Sequence, residues 1–444
     1  MLPKHQVTRV LGCASCGGRP LLLFVISLAF FSYLNILGSS LGTQKAWEHL
    51  QVMITTTTSA WDPALIASST TGSDLDTYVK LRTSAREAFH VEETPFTFAS
   101  GVSHALVDGA RREQPLTIAQ YSHVYGSSVL WTDRPGNYWA RCRRPCQAVG
   151  DYGNATAAAS ADVVIFNVEN FREIPWSRSP RQLWIGTYLE SPVHYPNLED
   201  KNIAAQFNLT MGFRPNADMP VFNMVYDTFR DFVRLRTYPL PDWETKHSDN
   251  IPMMSVWISN CGIDKTGRLA ILEKLAAQGI TYASYGACRR THEAGTALSK
   301  LQSDEWRRYG EEGLGPQLVA VATNHPFFYA AENSVYPYYI TEKVFHGLLA
   351  GSVPIYVGDA AHLKMIAPPG SIIYAEDYAS VEELAAQVSK VAHDPALYQS
   401  YLKWRSDPLS VKQLEHIMAL PHWAVEHPEG YACALCELLH SYSN

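Results

Sequence analysis

Between Met253 and Arg405 short apolar runs alternate with stretches of helical period, and few folds accommodate that alternation. The runs "MMSVWISN", "ITYASYG", "FFYAAEN", "VPIYVG" and "SIIYA" have the length and the β-branched or aromatic content of buried strands. Between them, "TGRLAILEKLAAQG" reads as an amphipathic helix closed by Gly279, and a second helix begins near Thr341. Further helices are expected over Ser380–Ala392 and Pro395–Arg405, while the passage from Gly286 to Phe327 reads as a loop. Strands and helices in this order make an α/β unit with a parallel sheet covered on both faces. Ligands bind such sheets outside the carboxyl ends of the strands. That rule selects Ser259 and Asn260, Tyr285 and Gly286, and Glu332 and Asn333 as candidates for one cleft.

A chain of 444 residues has room for a second unit. Upstream, "SSVLWT", "ADVVIFNV" and "RQLWIGTYLE" look like strands of another α/β domain with long connections, over residues 87–245. The Pro-rich, charged passage Tyr238–Pro252 interrupts the pattern and puts the boundary near residue 246, with the second domain over 246–410 and a C-terminal tail over 411–444. A formal net charge of -7 gives no general electrostatic reason to bind nucleic acid.

The N-terminus is of another kind. Pro20–Leu37 carries no charge and follows Lys4, His5, Arg9 and Arg19 with no acid among them. It reads as a short membrane span over 20–38 behind a cytosolic tail 1–19; without a clear cleavage site, a retained signal-anchor is favoured over a removed signal peptide. So short a span suits the thin membranes of the early secretory pathway or Golgi. The Ser/Thr-rich residues 39–86 form a stem. A luminal location would expose Asn154 in "NAT" and Asn208 in "NLT" to glycosylation. Of 8 cysteines, Cys13 and Cys16 would be cytosolic, leaving Cys142, Cys146, Cys261, Cys288, Cys433 and Cys436 in the oxidising lumen. "CRRPC" and "CALC" could form a four-thiolate zinc site, but the compartment favours disulfides, with connectivity open at this point.

Two places carry chemistry. Glu342 and Lys343 would lie in the first turn of the helix that Thr341 can cap, where unpaired N–H groups and the helix dipole attract phosphate. The alternative is an acid that favours the dipole beside a solvated lysine. Arg268 shifts the balance, because "SNCGIDKTGR" puts it near the start of the helix after the domain's first strand, so two cations converge on one crevice and can stabilise a diphosphate leaving group. Neither GxGxxG nor GxxxxGK[ST] occurs, which disfavours dehydrogenases and nucleotide kinases. The close acidic pair Asp74 and Asp76, a pattern that metal-dependent sugar-nucleotide transferases use, falls in the stem and reads as coincidence. In the other half, "LWIGTYLESPVHY" ends a strand with Glu190, which Ser191-Pro192 leaves at the cleft mouth. A carboxylate there could deprotonate a hydroxyl, or be an ordinary strand-end acid. His194, His325 and His346 read as surface or packing residues.

These segments resemble the α1,3-fucosyltransferases of glycosyltransferase family 10. "AENSVYPYYITEKVFHGLLAGSVPIYVG" is similar to that family's donor signature, "FNLTMGFRPNAD" and "LESPVHY" to its acceptor-half segments, and "SVWISNCGIDKTGRLAILEKL" to its first donor strand and helix. The donor half looks closest to plant-type enzymes acting on the core GlcNAc of N-glycans, and "FNLTMGFRPNAD" more like Lewis-type enzymes acting on outer GlcNAc. The resemblance implies a GT-B fold, two Rossmann-like domains facing across a cleft, and an inverting transferase of the Golgi membrane, type II in topology. Its donor would be GDP-fucose and its acceptor a glycoprotein N-glycan, with no required cofactor or metal and room for stimulation by a divalent cation.

Carried over position by position, Glu190 is the implied base, Arg268 and Lys343 hold the GDP phosphates, and Glu342 contacts ribose or fucose hydroxyls. Ser259, Asn260, Tyr285, Asn333 and Tyr339 would line the donor pocket. By the same resemblance Cys142 and Cys146 pair with Cys433 and Cys436, and Cys261 with Cys288. The chain departs from the signature at Ala331, where Phe is common, and at Tyr338, where Asp is. A non-catalytic glycan-binding protein of the same fold is the rival from another class.

Overall fold

The computed structural model describes residues 115–122, 146–150, 153–220, 235, 238–408, 410, 435, 436 and 439. The expected span, stem and "SSVLWT" strand lie outside the described residues, as do Cys142, Cys433 and most of the C-terminal tail. No helix among the described residues is long and apolar enough to cross a membrane.

Two parallel sheets organise the chain. The first has the order β2-β1-β3-β4-β5-β6. Its strands are β1 (Leu116–Gln120), β2 (Cys146–Ala148), β3 (Val163–Asn167), β4 (Leu183–Tyr188), β5 (Leu209–Gly212) and β6 (Met219–Pro220). The second has the order β11-β10-β9-β7-β8, from β7 (Met254–Val256), β8 (Tyr282–Ser284), β9 (Phe327–Ala331), β10 (Val353–Val357) and β11 (Ile373–Tyr374). Every residue of β3, β4, β9 and β10 is buried, as strands covered on both faces must be. Along β9 the alternation is explicit: Phe327, Tyr329 and Ala331 pack into one core, Phe328 and Ala330 into the core on the opposite face. Register follows, with Ile355 and Val256 both opposite Tyr329.

The helix after β7, Arg268–Ala277, begins after Gly267 in the left-handed region (φ 70°) and ends before Gly279 (φ 87°), conformations that glycine adopts without a Cβ clash. The passage expected to be a loop between Gly286 and Phe327 instead holds three helices, Ala294–Ser299, Asp304–Gly310 and Leu314–Ala322. The last is masked in the sequence by Gly315 and Pro316, which suggest a turn. Proline is tolerated in the first turn because the N–H groups there have no intrahelical partner. A further helix, Ala360–Ile366, follows β10. The Pro-rich passage after Tyr238 is not a free linker. Its Pro239 carbonyl accepts from Trp306 Nε1 at 3.0 Å, and Lys246 Nζ donates to the Gly351 carbonyl at 2.7 Å, fastening it to the second sheet's layer.

Cys146, on β2, is bonded to Cys436, so the described pair of thiols is a disulfide and not half of a zinc site. Cys261 is bonded to Cys288, joining the segments that follow β7 and β8.

Candidate active site

The two sheets meet at the carboxyl ends of β4 and β9. After Tyr188 the chain leaves the sheet, and Leu189-Glu190-Ser191-Pro192 turns so that the His194 N–H donates to the Ser191 carbonyl at 3.0 Å. Glu190 is half-buried at this turn. Its Oε2 accepts the Tyr339 hydroxyl at 2.7 Å and Asn333 Nδ2 at 3.4 Å, both from the other half of the chain. The Asn333 carbonyl accepts from His194 Nε2 at 3.3 Å and from the Lys265 N–H at 2.7 Å. A carbonyl can only accept, so His194 Nε2 carries the proton.

Tyr336 and Tyr339 belong by sequence to the second half but pack against the core of the first, whereas Ile340 packs into the second sheet's core and Tyr338 touches both. Tyr339 is 2% exposed and joins the core of the first sheet, its ring edge-on to Phe213 at 5.4 Å. Arg214 Nη2 donates to the Tyr336 hydroxyl at 2.6 Å, and that hydroxyl donates to Glu199 Oε1 at 2.9 Å. Burial raises the Tyr339 phenol far above its ordinary pKa, with Glu190 and Glu332 adding to the shift, so the group stays a neutral donor to Glu190.

A second constellation surrounds the start of helix Glu342–Leu349. Thr341 occupies the N-cap position but makes no side-chain cap bond, contrary to the sequence expectation. The reason is Glu332: its buried carboxylate accepts the Thr341 N–H at 2.8 Å and the Thr341 hydroxyl at 2.9 and 2.8 Å. Lys343 Nζ then donates to Thr341 Oγ1 at 2.8 Å and pairs with Glu332 at 3.4 Å and Glu342 at 3.3 Å. Burial raises the Glu332 pKa, Lys343 opposes that rise and Glu342 reinforces it. Burial works against the Lys343 ammonium, but Glu332 and Glu342 outweigh it and hold the pKa above the ordinary lysine value. Lys343 is therefore a firmly charged cation whose side chain is still 24% exposed.

Arg268 is 4% exposed at the base of the same wall. Its Nη1 donates to the Ala331 carbonyl at 3.1 Å, and Nη2 to Asn260 at 3.2 Å and Ile263 at 3.1 Å. Its Nε is buried with no hydrogen-bond partner among the described residues. Arg268 thus braces the β7 exit loop on β9, more than a freely presented phosphate ligand would. Ser259 and Asn260 are exposed on that loop. Tyr285, expected to line the pocket, is 5% exposed and directs its hydroxyl to His325 Nε2 at 2.9 Å. His325 Nδ1 faces the Pro252 carbonyl at 2.8 Å and must donate there, so Nε2 accepts from Tyr285.

The structure thus brings Glu190, Asn333 and Tyr339 into direct contact, and Glu342 and Lys343 into one ion cluster. Glu332 is named above only by strand-end position, and Glu169, whose carboxylate holds the Glu190 backbone, is missed altogether. Of the sequon asparagines, Asn154 is exposed and caps helix Ala155–Ser160, while Asn208 is half-buried and accepts the Trp184 N–H at 2.8 Å. Among the described residues no group of three or more His, Cys, Asp and Glu side chains could hold a metal.

Two family profiles match the chain, "Fucosyltransferase, N-terminal" over residues 129–223 and "Glycosyltransferase family 10 (fucosyltransferase) C-term" over 248–444, together more than half of it. The chain belongs to glycosyltransferase family 10. This family 10 chain is 25% identical over 285 residues to alpha-(1,3)-fucosyltransferase B of Drosophila melanogaster, covering 62% of each. It is 27% identical over 276 residues to the 4-galactosyl-N-acetylglucosaminide 3-alpha-L-fucosyltransferase 9 of Bos taurus and likewise of Homo sapiens, covering 60% of this chain and 64% of each of those proteins. The match therefore spans less than two thirds of these relatives' length. Among solved structures, an alpha1,3-fucosyltransferase with GDP-fucose aligns at 17% identity and a TM-score of 0.40, over 72% of this chain and 86% of that one.

Proposed function

We propose that the protein transfers L-fucose from GDP-fucose to the 3-hydroxyl of a GlcNAc residue, with inversion at the anomeric carbon. The observation that carries this reading is the contact of Glu190 with Tyr339 and Asn333, which sets a strand-end carboxylate of the first half against the donor signature of the second. Family membership supports the same reaction class.

In this scheme Glu190 takes the proton of the acceptor hydroxyl as its oxygen forms the new bond to the anomeric carbon. The bond from that carbon to the diphosphate breaks, and its electron pair leaves with GDP. Lys343 and the N–H groups at the start of helix Glu342–Leu349 receive the charge that develops there, while Arg268 adds its charge from behind the pocket wall. Glu342 contacts ribose or fucose hydroxyls, and no metal is required by these groups. Ser259, Asn260 and the ring of Tyr285 complete the donor side. The protein works as a single-pass type II enzyme of the Golgi membrane on glycoprotein N-glycans.

The preferred acceptor in this reading is the core GlcNAc. A second acceptor, outer N-acetyllactosamine, is favoured by the names of the bovine and human relatives. GDP release measured with GDP-fucose and a panel of both acceptors tests the proposal. Turnover on either acceptor, absent in Glu190→Gln and not supported by GDP-mannose or UDP-sugars, is the expected result. Undiminished turnover in Glu190→Gln overturns the role of the base, and GDP binding without transfer to any acceptor favours a glycan-binding protein.

A further inference from the structure

Glu169 lies two residues beyond the end of β3, 6% exposed, and no motif marks it. Its Oε1 accepts two backbone N–H groups, that of Leu189 at 2.9 Å and that of Glu190 itself at 2.7 Å. Its Oε2 accepts from Asn167 Nδ2 at 3.2 Å, and its own N–H donates to Asn167 Oδ1 at 3.0 Å. Asn167 is fully buried at the last position of β3, which runs beside β4 with Asn167 opposite Thr187. The linkage therefore runs from a rigid strand end, through a buried amide, to a buried carboxylate, and from there to the backbone of the residue that contacts Tyr339 across the cleft.

The physical requirement is plain. Once β4 ends, Leu189 and Glu190 have left the sheet ladder, and their N–H groups need partners. A carboxylate supplies stronger bonds than a neutral acceptor and fixes both N–H groups from one point. Burying that carboxylate is costly: desolvation raises its pKa, and the bonds from Leu189, Glu190 and Asn167 offset only part of the rise. A chain that needed only to end a strand could use water or a hydroxyl there. Buried charge directed at these two amides is what precise placement of the next side chain calls for.

We propose that Glu169 is a positioning residue for Glu190: it does not touch substrate, but sets the angle at which the Glu190 carboxylate meets the acceptor hydroxyl. This inference rests on the transferase reading, and it predicts a split that a merely structural role would not give. The cations proposed to hold the GDP phosphates, Arg268 and Lys343, stand on helices of the second sheet's layer, so loss of Glu169 lowers kcat and leaves the KM for GDP-fucose in place.

The test compares Glu169→Leu, Glu169→Gln and Glu190→Gln in the full chain, with amide exchange over Leu189 and Glu190 followed by peptide mass spectrometry and GDP affinity measured by calorimetry. In Glu169→Leu, faster exchange at these amides with a kcat about 100-fold lower and unchanged GDP affinity is expected, since a displacement near 1 Å costs that much. Glu169→Gln, which keeps a carbonyl acceptor, recovers part of both. Unchanged exchange in Glu169→Leu overturns the proposal, as does wild-type kcat in that variant while Glu190→Gln is inactive. A loss of GDP affinity parallel to the loss of kcat also overturns it. If wild type transfers no fucose, the transferase reading fails, and the exchange measurement still decides whether Glu169 holds the loop.

Discussion

The Tyr339 hydroxyl donates to Glu190 Oε2 at 2.7 Å from a ring that belongs by sequence to the second half yet is almost wholly enclosed in the core of the first sheet, the sheet whose strand β4 leads into Glu190. The proposed base is therefore held by a donor that cannot be moved without moving the packing between the two halves. That makes the residue before Ile340-Thr341-Glu342-Lys343 an alignment device linking the turn after β4 to helix Glu342–Leu349. Tyr339→Phe removes the hydroxyl and leaves the ring. Loss of the bond that orients the Glu190 carboxylate should lower kcat roughly 10- to 100-fold, while the missing bond itself lowers stability by no more than about 1.5–3 kcal/mol. Steady-state kinetics beside a melting curve check this, and a melting temperature lowered as much as activity would make the ring's packing the cause.

Lys343 is shared among Glu332, Glu342 and the Thr341 hydroxyl. Removing its charge should have two separable effects. Lys343→Met leaves Glu332 buried beside Glu342 without its cation, which costs about 3–5 kcal/mol of stability. It also removes stabilisation of the leaving diphosphate, lowering kcat about 100- to 1000-fold. Lys343→Arg keeps the charge and should restore stability more fully than activity, because a planar guanidinium cannot take the place of a point-like ammonium among three oxygens. Chemical denaturation and GDP-release rates on the two variants give the separation.

The second sheet is legible in the sequence because β9 and β10 are buried on both faces and so appear as unbroken apolar runs, and because glycine marks both ends of helix Arg268–Ala277. The first sheet is harder to read. Strand β2 lies in "CRRPCQAVG", where charged residues, proline and cysteine leave no apolar run to mark it. Helix Asp304–Gly310 has a sequence signal, Ser303 before Asp304 and Glu305, with the Ser303 hydroxyl accepting the Trp306 N–H at 3.3 Å. In the site, motif resemblance reaches Glu190, Glu342 and Lys343, since each lies inside a contiguous segment. Glu169 escapes because the bonds it makes to Leu189 and Glu190 go to backbone amides 20 and 21 residues along the chain, whose side chains are irrelevant to the bond. The only signal is an acid in "VEN", directly after a fully apolar strand. Arg268 is legible as a cation near a helix start, but not as a brace, because its acceptors are carbonyls.

His325 predicts a pH dependence. Desolvation, with Lys246 and His292 adding to it and the Pro252 carbonyl opposing it, lowers its pKa to about 4 from an ordinary 6.5. A base with a depressed folded-state pKa binds its proton more weakly in the native protein than in the unfolded chain. Stability is therefore full above about pH 6.5 and falls as the pH drops from there towards 4. At about 1.4 kcal/mol per unit, His325 alone accounts for roughly 3 kcal/mol across that window. His346, also lowered to about 4 by burial, slopes the same way. His325→Gln, which can still bond the Tyr285 hydroxyl, should flatten the wild-type curve of stability against pH by about half. Urea midpoints at pH 7, 5.5 and 4.5 measure it, and an unaltered slope would remove His325 as a source.

Tyr338 is one of two non-glycine residues with positive φ among those described, at 64°. Asp and Asn adopt that region far more readily than an aromatic residue, which gives a physical reason for the Asp that the family signature favours there. In this chain the strain is offset by neighbours: the Tyr338 N–H donates to Asp359 Oδ2 at 2.7 Å, and the ring lies 3.9 Å from the His362 ring. His362 Nδ1 in turn meets Asp359 Oδ2 at 2.5 Å. An Asp at 338 would set a second carboxylate near Asp359, whereas Asn relieves the backbone without adding charge. Tyr338→Asn should therefore match or exceed wild-type stability, Tyr338→Asp should fall below Tyr338→Asn, and Tyr338→Val, β-branched in the left-handed region, should lose about 2 kcal/mol. Thermal melts of the three variants give the order directly. A Val variant as stable as the Asn variant would mean that the backbone at 338 is not held in the left-handed region.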